Sequence, residues 1–345
     1  METIRQLRKA AGFTQAELAS AAGIRQATLS SLENGQSGAR KATVMALSQA
    51  LKISTEQVST ALRLGKATTE RQSWGFLKGL DRDLAEGLSR ELCSVWTHTS
   101  TALEGNTISA GDTLFVLTEG LTISGKSLRE HQEIHGHAEA IHLVQNWLHR
   151  GDTVRIRELH SLHRCVMSGA PLNPLAPIGE WKIEQNGTTA LTSAGQSRWH
   201  DYADPHQVSG LVEAWLDLLA EASGKAPIRS RNELEKRLAK AYTDLHLGFT
   251  AIHPYADGNG RMARLLANLP LLKAGWPPLL IAVEERRNYL QKIGDYSLAR
   301  GKPVSSEPLI RQGAERDALA QFFLEQWRMS LDQVAEYQAR QKARR

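Results

Sequence analysis

Apolar residues recur at helical spacing along almost the whole of this chain. Near its start Leu18, Ile24, Leu29 and Leu32, then Val44, Leu47 and Leu51, are spaced to close one small helical core. Thr14-x-x-Glu17 is a capping box that predicts a helix running to Ala22, where Gly23 ends it. A second short helix is predicted from Gln26 to Glu33, stopped by Asn34-Gly35. Two short helices joined by a tight glycine turn make a helix-turn-helix. The polar, glycine-bounded stretch around Gly65–Gly75 reads as a linker, placed at 65–76. Beyond it, apolar positions three and four apart predict helices over 77–95, 128–149, 207–221, 232–250, about 260–273 and 314–338. Pro270 should kink the helix that contains it. No alternation of strands with helices is visible, so the fold class is all-α.

Composition narrows the setting. Of 345 residues 41% are hydrophobic and 23% charged, an ordinary balance for a soluble domain protein. No run approaches the 18 apolar residues of a membrane span, and METIRQLRKAAGFTQ lacks the apolar core of a signal peptide, so no membrane partner is expected. Cys93 and Cys165 stand far apart in no metal or redox spacing, which suits a reducing cytoplasm. Net charge is +5. Residues 1–65 hold eight basic against four acidic side chains, +4, leaving +1 for the other 280. A basic head on a near-neutral body suggests a polyanion partner for the head, although a solvated surface explains the same charge.

The stretch from Ile4 to Val58, with TQAELASAAGIRQATLSSLENG, resembles the phage-repressor (XRE-like) family. That resemblance implies a five-helix domain, residues 1–64, whose Gln26 helix enters the major groove of double-stranded DNA. Gln26, Ala27 and Ser31 would occupy base-reading positions, with Thr28 on the same helix; glutamine can pair with adenine and alanine can touch a thymine methyl. Gln15 and the amides at its helix start would hold a phosphate. Arg25 stands where the family usually has a capping serine or threonine. Repressors of this type bind as dimers, so a homodimer is expected.

Two strings compete for a nucleotide. GLTISGKS, Gly120 to Ser127, fits the phosphate-loop pattern, but that loop needs a feeding strand and a parallel sheet. Ser109-x-x-Asp112 is another capping box, followed by Leu114, Leu117 and Leu121, so the segment before Gly120 reads as helix and the loop as a helix connection. His131, His135 and His142 share one helical stripe and could make a zinc face; a zincin would need Glu where Gln132 stands, and a solvated stripe fits better. The second string is IHPYADGNGRMAR, Ile252 to Arg264, between two helices. Pro254 and two glycines force a turn that delivers amides to a helix start, where donors are unpaired and the dipole favours anions. Arg261 and Arg264, one turn apart, should face the same side. Asp257 suits magnesium, and His253 titrates near neutral pH.

This second string resembles the Fic family signature H-P-F-x-[DE]-G-N-G-R-x-x-R, with Tyr255 for phenylalanine. The resemblance covers most of 77–330, including Gly179-Glu180-Trp181-Lys182, where the family has its flap hairpin; many relatives continue there into a compact hairpin, whereas GTTALTSAGQSRWH, 187–200, is longer and more polar here. It implies that 77–345 is a helical Fic-fold domain with one small β-hairpin flap and a core at about 153–300. It also implies transfer of AMP from ATP to a Tyr, Thr or Ser hydroxyl of a target protein. His253 would be the general base and Asp257 the Mg²⁺ ligand. Gly258, Asn259 and Gly260 would cradle the phosphates with Arg261, Arg264 would seat the γ-phosphate, and Tyr289 would line the adenine pocket. Relatives with Asn-Ala-Asn-Lys after the aspartate transfer phosphate; Gly-Asn-Gly-Arg here favours AMP. Ser100 to Asn106, STALEGN, resembles the family's inhibitory motif [ST]-x-x-x-E-[GN] on a helix at about 95–106. Glu104, with Ser100, would pair Arg264 and leave ATP bound askew; in some relatives that glutamate also supports removal of AMP. The alternative is a nucleotide-sensing transcriptional regulator with a catalytically silent Fic body.

Overall fold

The first two helices start on capping boxes. In the computed structural model, which describes residues 3–33, 39–62, 74–168, 176–224 and 230–344, Thr3 Oγ1 accepts from Gln6 N at 3.4 Å and Thr14 Oγ1 from Glu17 N at 3.2 Å. The chain divides into two units, Met1–Ser73 and Trp74–Arg345. The first contains α1 (Ile4–Ala10), α2 (Gln15–Ala21), α3 (Gln26–Glu33), α4 (Lys41–Leu51) and α5 (55–62). Ile4, Leu18, Leu29, Leu32, Leu47 and Val58 fill its core. Glu33, buried with them, takes charge-assisted bonds from Arg8 at 2.5 and 3.2 Å, which offsets the cost of burying it. The stop expected at Asn34-Gly35 and most of the expected linker lie outside the described residues. Trp74, Gly75 and Phe76, also assigned to that linker, belong to the second unit, where Trp74 and Phe76 are buried and stacked 6.0 Å apart.

Among its described residues the regular structure of the second unit is helical apart from one hairpin. Its elements are α6 (Arg82–Ala102), α7 (Ala110–Glu119), α8 (Leu128–Arg150), α9 (Ile156–Val166), β1 (Gly187–Leu191), β2 (Ser197–Asp201), α10 (Val208–Ala222), α11 (Arg231–Ile252), α12 (Asn259–Leu266), α13 (Leu269–Lys273), α14 (Arg286–Arg300), α15 (Ala314–Gln326) and α16 (Arg328–Ala343). The central helix is α11, packed against α10, α12, α13 and α15. Its Tyr242, Leu245, Leu247, Phe249 and Ile252 are fully buried, with Trp215 of α10 and Phe323 of α15 against them. Among the described residues no helix is long and apolar enough to cross a membrane.

One expectation is corrected and one is narrowed. The flap strands lie in the GTTALTSAGQSRWH stretch, Gly187–Asp201, pairing antiparallel from Gly187 with Asp201 to Leu191 with Ser197, while Gly179–Lys182 before them carries no strand. Thr188 and Thr189 suit a strand, and Gly195, at φ +76°, closes the turn. The helix expected over 260–273 is two helices rather than one kinked helix. Asn268 breaks it, donating Nδ2 to Arg264 O and Leu279 O and accepting Leu279 N, and Pro270 then sits in the first turn of α13, where its missing N–H costs nothing. The phosphate-loop string lies between α7 and α8: Gly120 ends one helix, Ser127 caps the next, and Lys126 Nζ donates to Thr107 O and Oγ1, both at 2.8 Å.

Candidate active site

The loop from His253 to Gly258 joins α11 to α12 and is fastened from both sides. Asn259 accepts Tyr255 N at 3.0 Å and donates Nδ2 to Tyr255 O at 2.8 Å. Tyr255 is buried with its ring stacked on His163, 3.8 Å between centroids at 4°. His163 Nδ1 accepts from Gly179 N at 2.8 Å, so the proton sits on Nε2, which donates to Asp257 O at 3.0 Å. Burial, opposed by the bond to Asp257, pushes this imidazole down to about 4, and it stays neutral while it ties the loop to α9. Gly258 holds φ +77°, and a Cβ there would come 2.8 Å from Met167 Sδ. Glycine meets both constraints.

His253 caps α11 in the left-handed region, φ 50° and ψ 59°, uncommon for a residue with a side chain. Its ring stacks on Tyr202, 3.7 Å between centroids at 3°. Nδ1 lies 3.2 Å from Thr250 O. A carbonyl can only accept, so Nδ1 carries the hydrogen and Nε2 keeps its lone pair. Burial depresses the imidazole to about 3; the Thr250 carbonyl and Glu104 oppose this, while Lys182 and His200 add to it. The ring is therefore neutral through the ordinary pH range.

At the start of α12 the first-turn amides have no intrahelical partner. Arg264, one turn on and buried, donates Nε to Ser100 Oγ at 3.1 Å, and Nη2 to Ser100 O at 2.8 Å and Glu104 Oε1 at 2.6 Å. A Cβ on Gly260 would collide with Glu104 Oε1, so that carboxylate lies directly over the first turn. Its side chain is 42% exposed. Burial works to raise the Glu104 carboxyl, but Arg264, with Arg261, outweighs it and the net shift is downward. Burial works against the Arg264 charge, yet Glu104 and Tyr289 raise it overall.

Other expected groups are placed differently. Arg261 neighbours Arg264 but bonds elsewhere: its guanidinium turns to the end of α9, giving Nη1 to Val166 O at 3.2 Å and Nη2 to Met167 Sδ at 3.3 Å. Residues three apart are offset by about 60° around a helix, and the free carbonyls of α9 capture the cation. Tyr289 offers no open face to a base; it is buried, with its hydroxyl 2.9 Å from His246 Nε2 and bonded to Arg264. Asp257 is half-buried, its Oδ1 accepting Gly258 N at 2.6 Å. Among the described residues no three His, Cys, Asp or Glu side chains gather as a metal group. Magnesium bound largely through phosphates needs one carboxylate from the protein, so the partly open Asp257 fits it. The histidine stripe does not converge: both nitrogens of His131 are engaged, by Ile123 N and Ser127 O, and His135 and His142 are exposed.

Arg25, just before α3, and Gln26, Ala27 and Thr28 on it are exposed and Ser31 is half-buried, beside a groove of about 560 Å³ that Arg40 and Thr43 also line. Gln15 is turned inward, giving Nε2 to Glu33 at 3.1 Å, so a phosphate there would meet helix-start amides rather than this side chain. Sequence reasoning missed His163, Tyr202 and Asn186. None stands in the loop string, and no local spacing pointed to them.

Residues 4–58 match the helix-turn-helix family and residues 153–271 the Fic/DOC family. Curated relatives named protein adenylyltransferase fic-1, from Caenorhabditis briggsae and Caenorhabditis elegans, are each 30% identical over 220 residues, 63% of this chain and 39% of the relative. The chain thus spans about two fifths of their length. A Fic domain containing signaling protein from Bacteroides thetaiotaomicron superposes with a TM-score of 0.62 at 21% identity, over 79% of this chain and 96% of that one. The head is a helix-turn-helix, and the body has the Fic fold.

Proposed function

We propose, for a chain that joins a helix-turn-helix head to a Fic-fold body, a self-restrained protein adenylyltransferase that binds DNA through its head. The observation that carries the reading is the carboxylate of Glu104 seated over the first turn of α12 and bonded to Arg264: an anion of the chain's own, at the place built to take phosphates. ATP would set its phosphates on the amides of Gly258, Asn259 and Gly260, with the γ-phosphate on Arg264 once Glu104 gives way. Arg261, held against α9, supports the first turn and adds positive charge behind it.

The chemistry follows from His253. Its free Nε2 takes the proton of a Tyr, Thr or Ser hydroxyl on the target protein; that oxygen attacks the α-phosphorus, the bond from the α-phosphorus to the bridging oxygen breaks, and diphosphate leaves. AMP remains on the target oxygen. Asp257 would hold Mg²⁺, which would neutralise phosphate charge there. With Glu104 in place the γ-phosphate has no seat, and the α-phosphorus is misaligned for attack. The same carboxylate, free to move, could orient water for removal of AMP. The head would dock α3 in a major groove, as a dimer on a two-fold operator such as that of its own gene, in the cytoplasm.

The test uses ATP labelled at the α- or the γ-phosphorus, native lysate, and three proteins: wild type, Glu104→Gly, and Glu104→Gly with His253→Ala. Protein labelled from the α-position alone, strong with Glu104→Gly and lost with His253→Ala, is expected. Label from the γ-position means phosphate transfer. No label from either sinks the transferase and leaves a nucleotide-sensing transcriptional regulator with a silent body.

A further inference from the structure

The flap side of the site holds a buried cation for which the proposed reaction has no role. Lys182 is 3% exposed. Its Nζ meets two neutral acceptors, Asn186 Oδ1 at 2.5 Å and Ile252 O at 3.3 Å, and its backbone N donates to Pro254 O at 2.9 Å. Asn186 in turn donates Nδ2 to Tyr255 O at 3.1 Å. Ile252 ends α11, so its carbonyl is one of those a helix leaves without an internal donor, at the negative end of the dipole. The carbonyls of residues 252, 254 and 255 are therefore all gripped by Lys182 and its partner, and they bracket His253. A non-glycine residue at φ 50° keeps that conformation where its surroundings over-determine it, and these bonds do so.

We propose that Lys182 is a positioning residue for the base: anchored on the Ile252 carbonyl and on Asn186, its ammonium holds the backbone around His253, and so fixes the orientation of that imidazole and the charge beside it. This rests on His253 acting as the general base. Lys182 and His200 disfavour the imidazolium, behind the larger effect of burial, whereas Glu104 and the Thr250 carbonyl favour it. Lys182 is itself pulled down to about 8 by burial, with Asp204 opposing and Lys302 assisting, and it is cationic at neutral pH. A positive charge here adds to burial in disfavouring the imidazolium; a neutral side chain of the same length would release the backbone around the ring and raise its midpoint while leaving it neutral near pH 7.

The test compares full-length Glu104→Gly protein with versions that also carry Lys182→Met or Lys182→Arg. Histidine imidazole signals followed by NMR across pH, with His253→Ala for assignment, give a readout independent of activity. Lys182→Met should move the His253 midpoint up by on the order of one pH unit, and Lys182→Arg should leave it in place. In α-label transfer, Lys182→Met should lower kcat about 10- to 100-fold at unchanged KM for ATP, and Lys182→Arg should recover most of it. An unmoved midpoint with unchanged kcat overturns the proposal, as does a rate loss that Arg does not recover with the midpoint unmoved. Should the parent transfer no label, the transferase reading falls while the midpoint still decides the role of Lys182. If Lys182→Met does not fold, Lys182→Gln keeps a donor without the charge: an upward midpoint supports the proposal, an unmoved one overturns it.

Discussion

Glu104 Oε1 and Arg264 Nη2 meet at 2.6 Å across 160 residues of sequence, where the chain just past α6 lies against α12. The arginine is buried, but the glutamate side chain is 42% exposed, so the pair can open toward solvent without disturbing the core. Glu104→Gly should therefore raise the initial rate of AMP transfer about 10- to 100-fold, the worth of one charge-assisted hydrogen bond returned to the γ-phosphate. Thermal unfolding of the second unit should hardly change. An unaltered rate would show that the contact restrains nothing.

Gly258 should resist replacement. Its φ of +77° strains any side chain, and a Cβ would press on Met167 Sδ at 2.8 Å. Gly258→Ala should destabilise the second unit by about 1–3 kcal/mol and remove AMP transfer, because the first-turn amides would shift. Urea unfolding checks the first effect and label transfer the second. A stable, active variant would mean that the turn has slack the geometry does not show.

Lys126→Ala should leave nucleotide chemistry untouched. The lysine serves Thr107 on a helix connection, and among the described residues the strands lie at Gly187–Leu191 and Ser197–Asp201, away from it in sequence. In the Glu104→Gly protein, α-label transfer should match the parent. A lost rate would put the phosphates at Gly120–Ser127 after all.

How much of this could be read from the chain depends on how far apart the partners lie. Thr14 with Glu17, Ser109 with Asp112 and Gly120 act within one turn, so their helix ends are legible in order along the sequence. The loop from His253 to Arg264 is legible because its groups are contiguous. Side-chain direction is another matter. Arg261 follows a carbonyl 95 residues back in sequence, Tyr289 follows a histidine 43 away, and Gln15 follows Glu33 on another helix. No spacing rule encodes those choices. The Asn268 break was hidden because its partner, Leu279, lies in an irregular stretch beyond α13.

Acid should weaken the second unit in a definite window. His253 and His246 are each depressed by burial to about 3 and His163 to about 4, against an ordinary value near 6.5. As pH falls below about 6.5 the unfolded chain takes up protons that these folded sites refuse. Stability is then full above that pH and declines from there down to about 3 or 4. Urea midpoints should drop across pH 6.5 to 4, and His246→Gln should flatten the slope, whatever its effect at pH 7. An unchanged slope would mean that His246 is protonated in the folded protein.

DNA binding should separate affinity from discrimination on α3. Gln26 is exposed in its first turn, where an amide can reach a base edge, whereas Arg25 and Arg40 flank the groove as point charges. On an operator selected from random duplexes, Gln26→Ala should cost about 1–3 kcal/mol of discrimination at one base pair. Arg40→Ala should weaken all duplexes alike and reduce the salt slope by about 1. Fluorescence anisotropy of the full chain at several salt concentrations measures both. Equal loss on every sequence from Gln26→Ala would take this helix out of the major groove and leave the head a nonspecific binder.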